Sequence, residues 1–300
     1  MLVFVTGAAG FIGRATMQEL ISHGHQVLGL ARNDANAELI TKLGGQVHRG
    51  DLEDLESLKS GARKADGVIH LAFLNDFTNF ERTTDADVAA IEAMGEAMAG
   101  TGKPLVIASG TMLLEKGVLA AEDSDTVDIV PYSLRVRAAK TVYALSKEKQ
   151  VRGSVVRLPP TVHGKEDSGF ISIVINVARG AGSAIYVGDG TNRWPAVHRL
   201  DAAVVFRLAL EKGKPGSTFH AVSEEGVKMS DIVGLIGKRL QLPVQSQSVE
   251  EAVPKLGLLA HVLAADNPTS SEITQKELGW DAKNTTQPGL LEDMDAHYFS

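Results

Sequence analysis

Six short runs of aliphatic and β-branched residues punctuate the first half of the chain: LVFVTG, QVLGLA, GQVHRG, GVIHLA, PLVIAS and GSVVRLP, all between Leu2 and Pro159. Apolar residues follow one another in these runs without the polar alternation of a half-exposed strand, which predicts strands buried on both faces of a parallel sheet. Segments with helical periodicity separate them and supply the right-handed crossovers that parallel strands require. The predicted architecture is α/β, a doubly wound parallel sheet of the Rossmann kind. After Pro159 the alternation breaks down: GFISIVINVARG and DAAVVFRLALEKG read as helices, STFHAV as a strand, and the tail PGLLEDMDAHYFS as a helix. Residues 1–160 are therefore expected to form the sheet unit, and 161–300 a smaller lobe with some elements returning to the sheet.

Composition narrows the function classes. The 300 residues are 44% apolar and 22% charged, the balance of a globular chain. A net charge of −7 with scattered lysines and arginines leaves no basic stripe for nucleic acid. No apolar run approaches the roughly 20 residues that cross a bilayer, and the start shows no secretory leader, so no membrane partner and a cytoplasmic protein are expected. Cysteine is absent, which removes thiolate nucleophiles and cysteine-based zinc sites. No HExxH or comparable spacing points to a metal. The acidic pairs Glu122–Asp123 and Glu224–Glu225 read as surface loops.

The stretch VFVTGAAGFIGRATMQELISHGH joins the first strand to the first helix through Gly7, Gly10 and Gly13. Gly7 would permit the tight turn, Gly10 the approach of a pyrophosphate, and Gly13 close packing of helix on strand. Free N–H groups and the positive end of the helix dipole would then face the phosphates, with Phe11, Ile12 and Arg14 around them. The second strand ends in Arg32, where an acid would accept a hydrogen bond from the ribose 2′-hydroxyl of NAD and an arginine would pair with the 2′-phosphate of NADP. Arg14 could add a second positive charge. These residues favour NADP over NAD.

TGAAGFIG, then GDLED with Asp51 and Leu52, then VIHLA with His70, Leu71 and Ala72, in this order and at these distances, resemble the short-chain dehydrogenase/reductase superfamily, most closely its extended branch. The resemblance runs on through RLPPTVHG and PAVHRLDAA to KELGW, almost the whole chain. It implies that Asp51 touches the adenine, that the HLA strand end lines the cofactor ribose, and that the stretch from Pro159 lies beneath the nicotinamide. It also implies a catalytic serine or threonine after the fifth strand, here Ser109 or Thr111, with a tyrosine and a lysine spaced YxxxK on the next helix. PYSLRVRAAK does not supply that spacing. In one register Tyr132 is the tyrosine and Val136 replaces the lysine; in the other Lys140 is the lysine and Val136 displaces the tyrosine. The pattern resembles the group called atypical.

A tyrosine with its reference pKa near 10 exchanges protons poorly at neutral pH unless a cation favours the phenolate. Arg135, three residues beyond Tyr132, could replace the missing lysine, whereas Lys140 is about 12 Å along a helix from Tyr132 and would meet Tyr143 instead. His163 and His198 fall in segments the resemblance places by the reactive end of the cofactor, and a histidine can donate a proton near neutrality without such help. Trp194 would offer an apolar wall to a substrate, and Asp201 is assigned to helix capping. The reading that follows is an NADP-dependent oxidoreductase acting on a small aldehyde or ketone. A non-catalytic NADP-binding sensor and a sugar-nucleotide epimerase or dehydratase are the alternatives, and the resemblance makes a homodimer plausible.

Overall fold

The computed structural model describes residues 1–74, 76, 79–127, 132–257 and 259–299, with Tyr132 and Ser133 described in their backbone alone. Seven parallel strands form the central sheet: β1 (Leu2–Thr6), β2 (Gln26–Ala31), β3 (Gln46–Arg49), β4 (Gly67–His70), β5 (Pro104–Gly110), β6 (Arg152–Leu158) and a later strand, Ser217–His220. The helices of this half are α1 (Phe11–Ser22), α2 (Asp34–Lys42), α3 (Leu55–Lys64), α4 (Phe80–Ala97) and α5 (Val136–Glu148). Beyond Pro159 come β7 (Thr161–His163), α6 (Phe170–Ala181), β8 (Ala184–Val187), β9 (Arg193–His198) and α7 (Arg199–Lys212). The later sheet strand is β10, followed by β11 (Glu224–Lys228), α8 (Met229–Leu240), β12 (Val244–Gln247), α9 (Val249–Leu256), α10 (Leu259–Leu263), α11 (Glu272–Leu278) and α12 (Leu290–His297). The sheet order is β10-β6-β5-β4-β1-β2-β3.

The apolar runs bury both faces because side chains alternate along a strand. Val3 and Val5 of β1, Val106 of β5 and Val156 of β6 join the core on the side of α1 and α7. Phe4, Leu105, Ile107 and Val155 point the other way, into the core beneath α3, α4 and α5. Two elements from beyond residue 160 complete this unit: α7 covers one face beside α1, and β10 pairs in parallel with β6, Ser217 opposite Ser154. The remainder builds a smaller lobe from the three-stranded sheet β11-β9-β7 and the pair β12-β8, around Trp194, Ile232 and Met294.

One member of each acidic pair corrects the sequence reading, while Asp123 and Glu225 are exposed. Glu122 is buried, and its Oε1 accepts from both the N–H and the hydroxyl of Thr274 in the first turn of α11. Glu224 accepts from the N–H of Leu290 at the start of α12. Each carboxylate meets an unpaired N–H group at the positive end of a helix distant in sequence, which a local reading of acidic loops does not detect.

His220, at the end of β10, is wholly buried, faces the Ser270 carbonyl through Nδ1 and accepts from Arg157 at Nε2. Burial pushes its pKa down to about 3, the Ser270 bond opposing and Arg157 reinforcing the shift. Unfolded, the ring takes a proton near pH 6.5, so its contribution to stability is complete above that pH and is lost as pH falls toward 3. The unfolding free energy from denaturant titrations between pH 7.5 and 5 is expected to fall below pH 6.5 by on the order of 1 kcal/mol per pH unit, and His220→Gln is expected to flatten that slope.

Candidate functional site

The glycine turn sits at the carboxyl edge of the sheet, between β1 and α1. Gly7 has φ +67°, a left-handed conformation, and a Cβ there would lie 2.8 Å from the Ala72 nitrogen. At Gly13 a Cβ would lie 2.0 Å from the Gly7 carbonyl oxygen. Gly10 caps α1 with no side-chain hydrogen bond, so the first N–H groups of the helix have no capping side chain. A bare helix start behind a turn with no room for side chains suits a diphosphate. When bound at such a site, a nicotinamide dinucleotide supplies hydride chemistry at its far end.

Gly7 and Gly10 open into a cleft of about 800 Å³ that Asp51, Leu52, Leu71 and Ala72 also line. Asp51 Oδ1 accepts from the N–H groups of Glu53 and Asp54, each at 2.9 Å, which fixes the turn after β3. Arg32 reaches the same cleft from the end of β2 and has no acidic partner among the described residues, while its neighbour Asn33 is taken up in capping α2 through the N–H of Asn36. Arg82, across the mouth, is neutralised by Glu53 at 2.7 Å.

Arg14 is not the second free cation that the sequence suggested. Its guanidinium meets Glu166 of the small lobe at 2.6 Å, and Glu166 itself is held at φ +71°. Phe11 packs under the Arg199 guanidinium, 5.1 Å from the ring centroid, and Ile12 turns into the core. These two residues therefore brace the turn through their side chains.

Behind the cleft lies a buried chain of polar groups that takes up His70, which the resemblance places along the cofactor ribose, together with Thr6 and Asp87, which the sequence reading did not pick out. The Thr6 hydroxyl accepts from the N–H groups of Leu71 and Ala72, each at 3.2 Å, and lies 2.7 Å from His70 Nδ1. With its hydrogen donated to Nδ1, His70 carries its own on Nε2, 3.1 Å from Asp87 Oδ1 in α4. Histidine at the end of a strand and aspartate within a helix carried no local signal of their pairing, because 17 residues separate them.

The catalytic candidates separate by burial. Thr111 has no exposed surface, and it is tied on both sides to Asn267: its hydroxyl donates to Oδ1 at 2.8 Å and its carbonyl accepts from Nδ2 at 3.0 Å. Ser109, 8% exposed, stands at the end of β5, two residues past Ile107, which pairs with His70. Pro159 follows directly on β6, whose Leu158 pairs with Gly110. Tyr132 opens a short 3-10 turn, Tyr132–Arg135, that leads into α5, and its side chain lies outside the described residues, as does Pro131 before it. The register based on Lys140 fails, because α5 turns Lys140 to solvent and Tyr143 meets the Thr218 hydroxyl at 2.6 Å.

His163, His198 and Trp194 are buried in the small lobe. His163 has no exposed surface, and its Nδ1 donates to Asp293 at 2.9 Å. Its ring meets His198 edge to face at 5.4 Å. Burial and His163 push the pKa of His198 down to about 4, so at neutral pH it is the neutral imidazole and not an imidazolium acid. His198 also accepts from the N–H of Leu200, which makes it, and not Asp201, the cap of α7; Asp201 accepts from the Thr285 hydroxyl. Trp194 is fully buried against Phe170 and donates its indole N–H to the Ala265 carbonyl. Strand β9 is buried on both faces, Trp194 and Ala196 in the small lobe's core and Val197 in the core beside α7, which the sequence alone did not separate from a loop.

The model of the NAD dependent epimerase/dehydratase family matches residues 3–222. The chain belongs to that family. The match spans the glycine turn, the cleft and β10, and the assignment fits an atypical member of the extended short-chain dehydrogenases/reductases. The uncharacterized protein YLL056C of Saccharomyces cerevisiae is 48% identical, over 99% of both chains. A 4-hydroxy-2-methyl-3-oxo-4-farnesyl-3,4-dihydroquinoline-1-oxide ketoreductase of Stigmatella aurantiaca is 24% identical over 97% of this chain and 95% of its own. In fold, the chain is similar to the dTDP-glucose 4,6-dehydratase DesIV of Streptomyces venezuelae, solved with NAD bound, with a TM-score of 0.79, 18% identity, and coverage of 99% of this chain and 96% of that one. Among the described residues no helix is long and apolar enough to cross a membrane, and no cluster of histidine, aspartate and glutamate could hold a metal.

Proposed function

We propose that this protein is an NADP-dependent oxidoreductase that reduces a small aldehyde or ketone, with residues 1–160 binding the dinucleotide and 161–300 mostly shaping the substrate site. The observation that carries the reading is Arg32, a cation without an acidic partner among the described residues, at the strand end where a 2′-phosphate would lie. Gly7, Gly10 and Gly13 would hold the diphosphate, and Asp51, Leu52, Leu71 and Ala72 the adenosine half. Membership of the family and the ketoreductase named among its relatives support carbonyl reduction.

The residues at the carboxyl edge have distinct tasks in this reading. Ser109 donates a hydrogen bond to the carbonyl oxygen and orients it, the role for which Thr111 has no free hydroxyl. Tyr132 supplies the proton that the oxygen takes as hydride reaches the carbon. Arg135 ends the 3-10 turn that Tyr132 opens, and its guanidinium would favour the phenolate.

The test is to follow oxidation of NADPH, and of NADH in parallel, against a panel of aldehydes, ketones and sugar nucleotides. Turnover with preference for NADPH is expected, with Tyr132→Phe and Ser109→Ala each lowering kcat by about 100-fold or more. Tight NADPH binding with no turnover across the panel would instead favour an NADP-binding sensor.

A further inference from the structure

Arg135 ends the 3-10 turn before α5, and its guanidinium carbon lies 3.9 Å from the centroid of the Phe73 ring. Phe73 follows β4 and lines the cleft, braced edge to face by Phe80. The guanidinium makes no hydrogen bond or ion pair among the described residues, and its Nε is buried without a partner. Other desolvated arginines of this chain behave differently. Arg152 donates to the carbonyls of Leu210 and Gly213, and Arg157 donates to that of Glu122. Asp87 acts on Arg135 only through its field, its Oδ1 already being engaged by His70.

Arg135 is partly exposed and its buried Nε–H has no partner, so a planar anion that takes Nε–H and one further N–H at once would satisfy the unused donor. The anionic groups of a dinucleotide have other places in this cleft, the diphosphate at the start of α1 and a 2′-phosphate at Arg32. A carboxylate carried by the substrate is then the planar anion that fits Arg135. Ile107 pairs with His70, which puts Ser109 level with Ala72, one residue from Phe73. A carboxylate on Arg135 would therefore lie beside the carbonyl that Ser109 orients.

We propose that the substrate is an oxo acid whose carboxylate is bound by Arg135 on its Phe73 platform, and that Arg135 sets this preference. This rests on the reductase reading given above. In the reaction the carbon–oxygen π bond breaks, the carbon takes hydride from NADPH, the oxygen takes a proton, and NADP and a hydroxy acid leave with the carboxylate unchanged.

The experiment compares 3-oxohexanoate with methyl 3-oxohexanoate, using NADPH and the full chain, for the wild type, Arg135→Gln and Arg135→Lys. In the wild type kcat/KM for the acid is expected to exceed that for the ester by about 30- to 300-fold, as a charge-assisted bidentate contact allows. Arg135→Gln is expected to bring the ratio to within about 3-fold and Arg135→Lys to leave an intermediate value, with NADPH affinity unchanged in both. An ester reduced as well as the acid by the wild type overturns the proposal without needing any variant. So does an acid preference that survives in Arg135→Gln, or a loss of NADPH affinity in that variant matching its loss of activity, which would assign Arg135 to the cofactor. If neither compound is reduced, calorimetric titration of the NADP-loaded protein with the acid decides. Binding that Arg135→Gln abolishes keeps the carboxylate site and removes the reductase reading, and absence of binding to the wild type removes the carboxylate site.

Discussion

Gly13→Ala is expected to abolish dinucleotide binding. The added methyl carbon would lie 2.0 Å from the Gly7 carbonyl oxygen and 2.8 Å from its carbonyl carbon. Both are backbone atoms of a turn that is itself pressed against Leu71 and Ala72, so no side chain can rotate away to make room. Either α1 moves off the sheet or the turn opens, and in both cases the N–H groups that face a diphosphate lose their geometry. NADPH affinity measured by calorimetry should fall by about 100-fold or more, the equivalent of two charge-assisted hydrogen bonds. Gly180→Ala in α6 is the matched control: nothing lies within 4 Å of its added carbon, and helix propensity should make that variant neutral or more stable by about 0.5–1 kcal/mol. Unchanged NADPH affinity in Gly13→Ala would show that the dinucleotide does not bind at this turn.

Trp194→Ala is expected to cost about 3–5 kcal/mol of stability, the range for emptying a large core site. The indole has no exposed surface, packs against Phe170 at 5.8 Å, and holds the segment after α10 through the Ala265 carbonyl. Thermal unfolding should show a fall of roughly 10 °C, while KM for a reduced carbonyl changes little in the protein that remains folded. Trp194→Phe should recover part of the loss, since the ring contact survives and the hydrogen bond does not. A raised KM with an unchanged melting temperature would give the residue back to the wall of a substrate pocket.

Much of the site was legible because its residues act through backbone and sequence order. Gly7, Gly10 and Gly13 declare a strand–turn–helix by spacing alone, and Asp51 and Arg32 sit at ends of strands that hydrophobic runs delimit. The buried polar residues were less legible for a physical reason: they bond to partners distant in the chain. His163 reaches Asp293 across 130 positions, Thr111 reaches Asn267 across 156, and Glu122 reaches Thr274 across 152. Each looked like a candidate for chemistry or a surface residue when its own neighbourhood was the only guide. The structure shows each instead as the buried partner of a later segment, since a polar group taken from water must be paired.

The sequence alone determined the architecture and the place of the cleft. Strand periodicity, helix periodicity and glycine spacing are local properties, and right-handed crossovers then leave one sheet topology and one carboxyl edge for the turn to occupy. Only the tertiary structure decided which polar side chains remain free to meet a ligand. Among the described residues Ser109, Arg32 and Arg135 keep unpaired hydrogen-bonding groups or charge at the sheet's carboxyl edge, whereas Thr111, His198 and Arg14, no different in kind, are engaged by Asn267, Leu200 and Glu166. Whether a donor is free depends on which distant segment folds against it, and that information is carried by the packing of the whole chain.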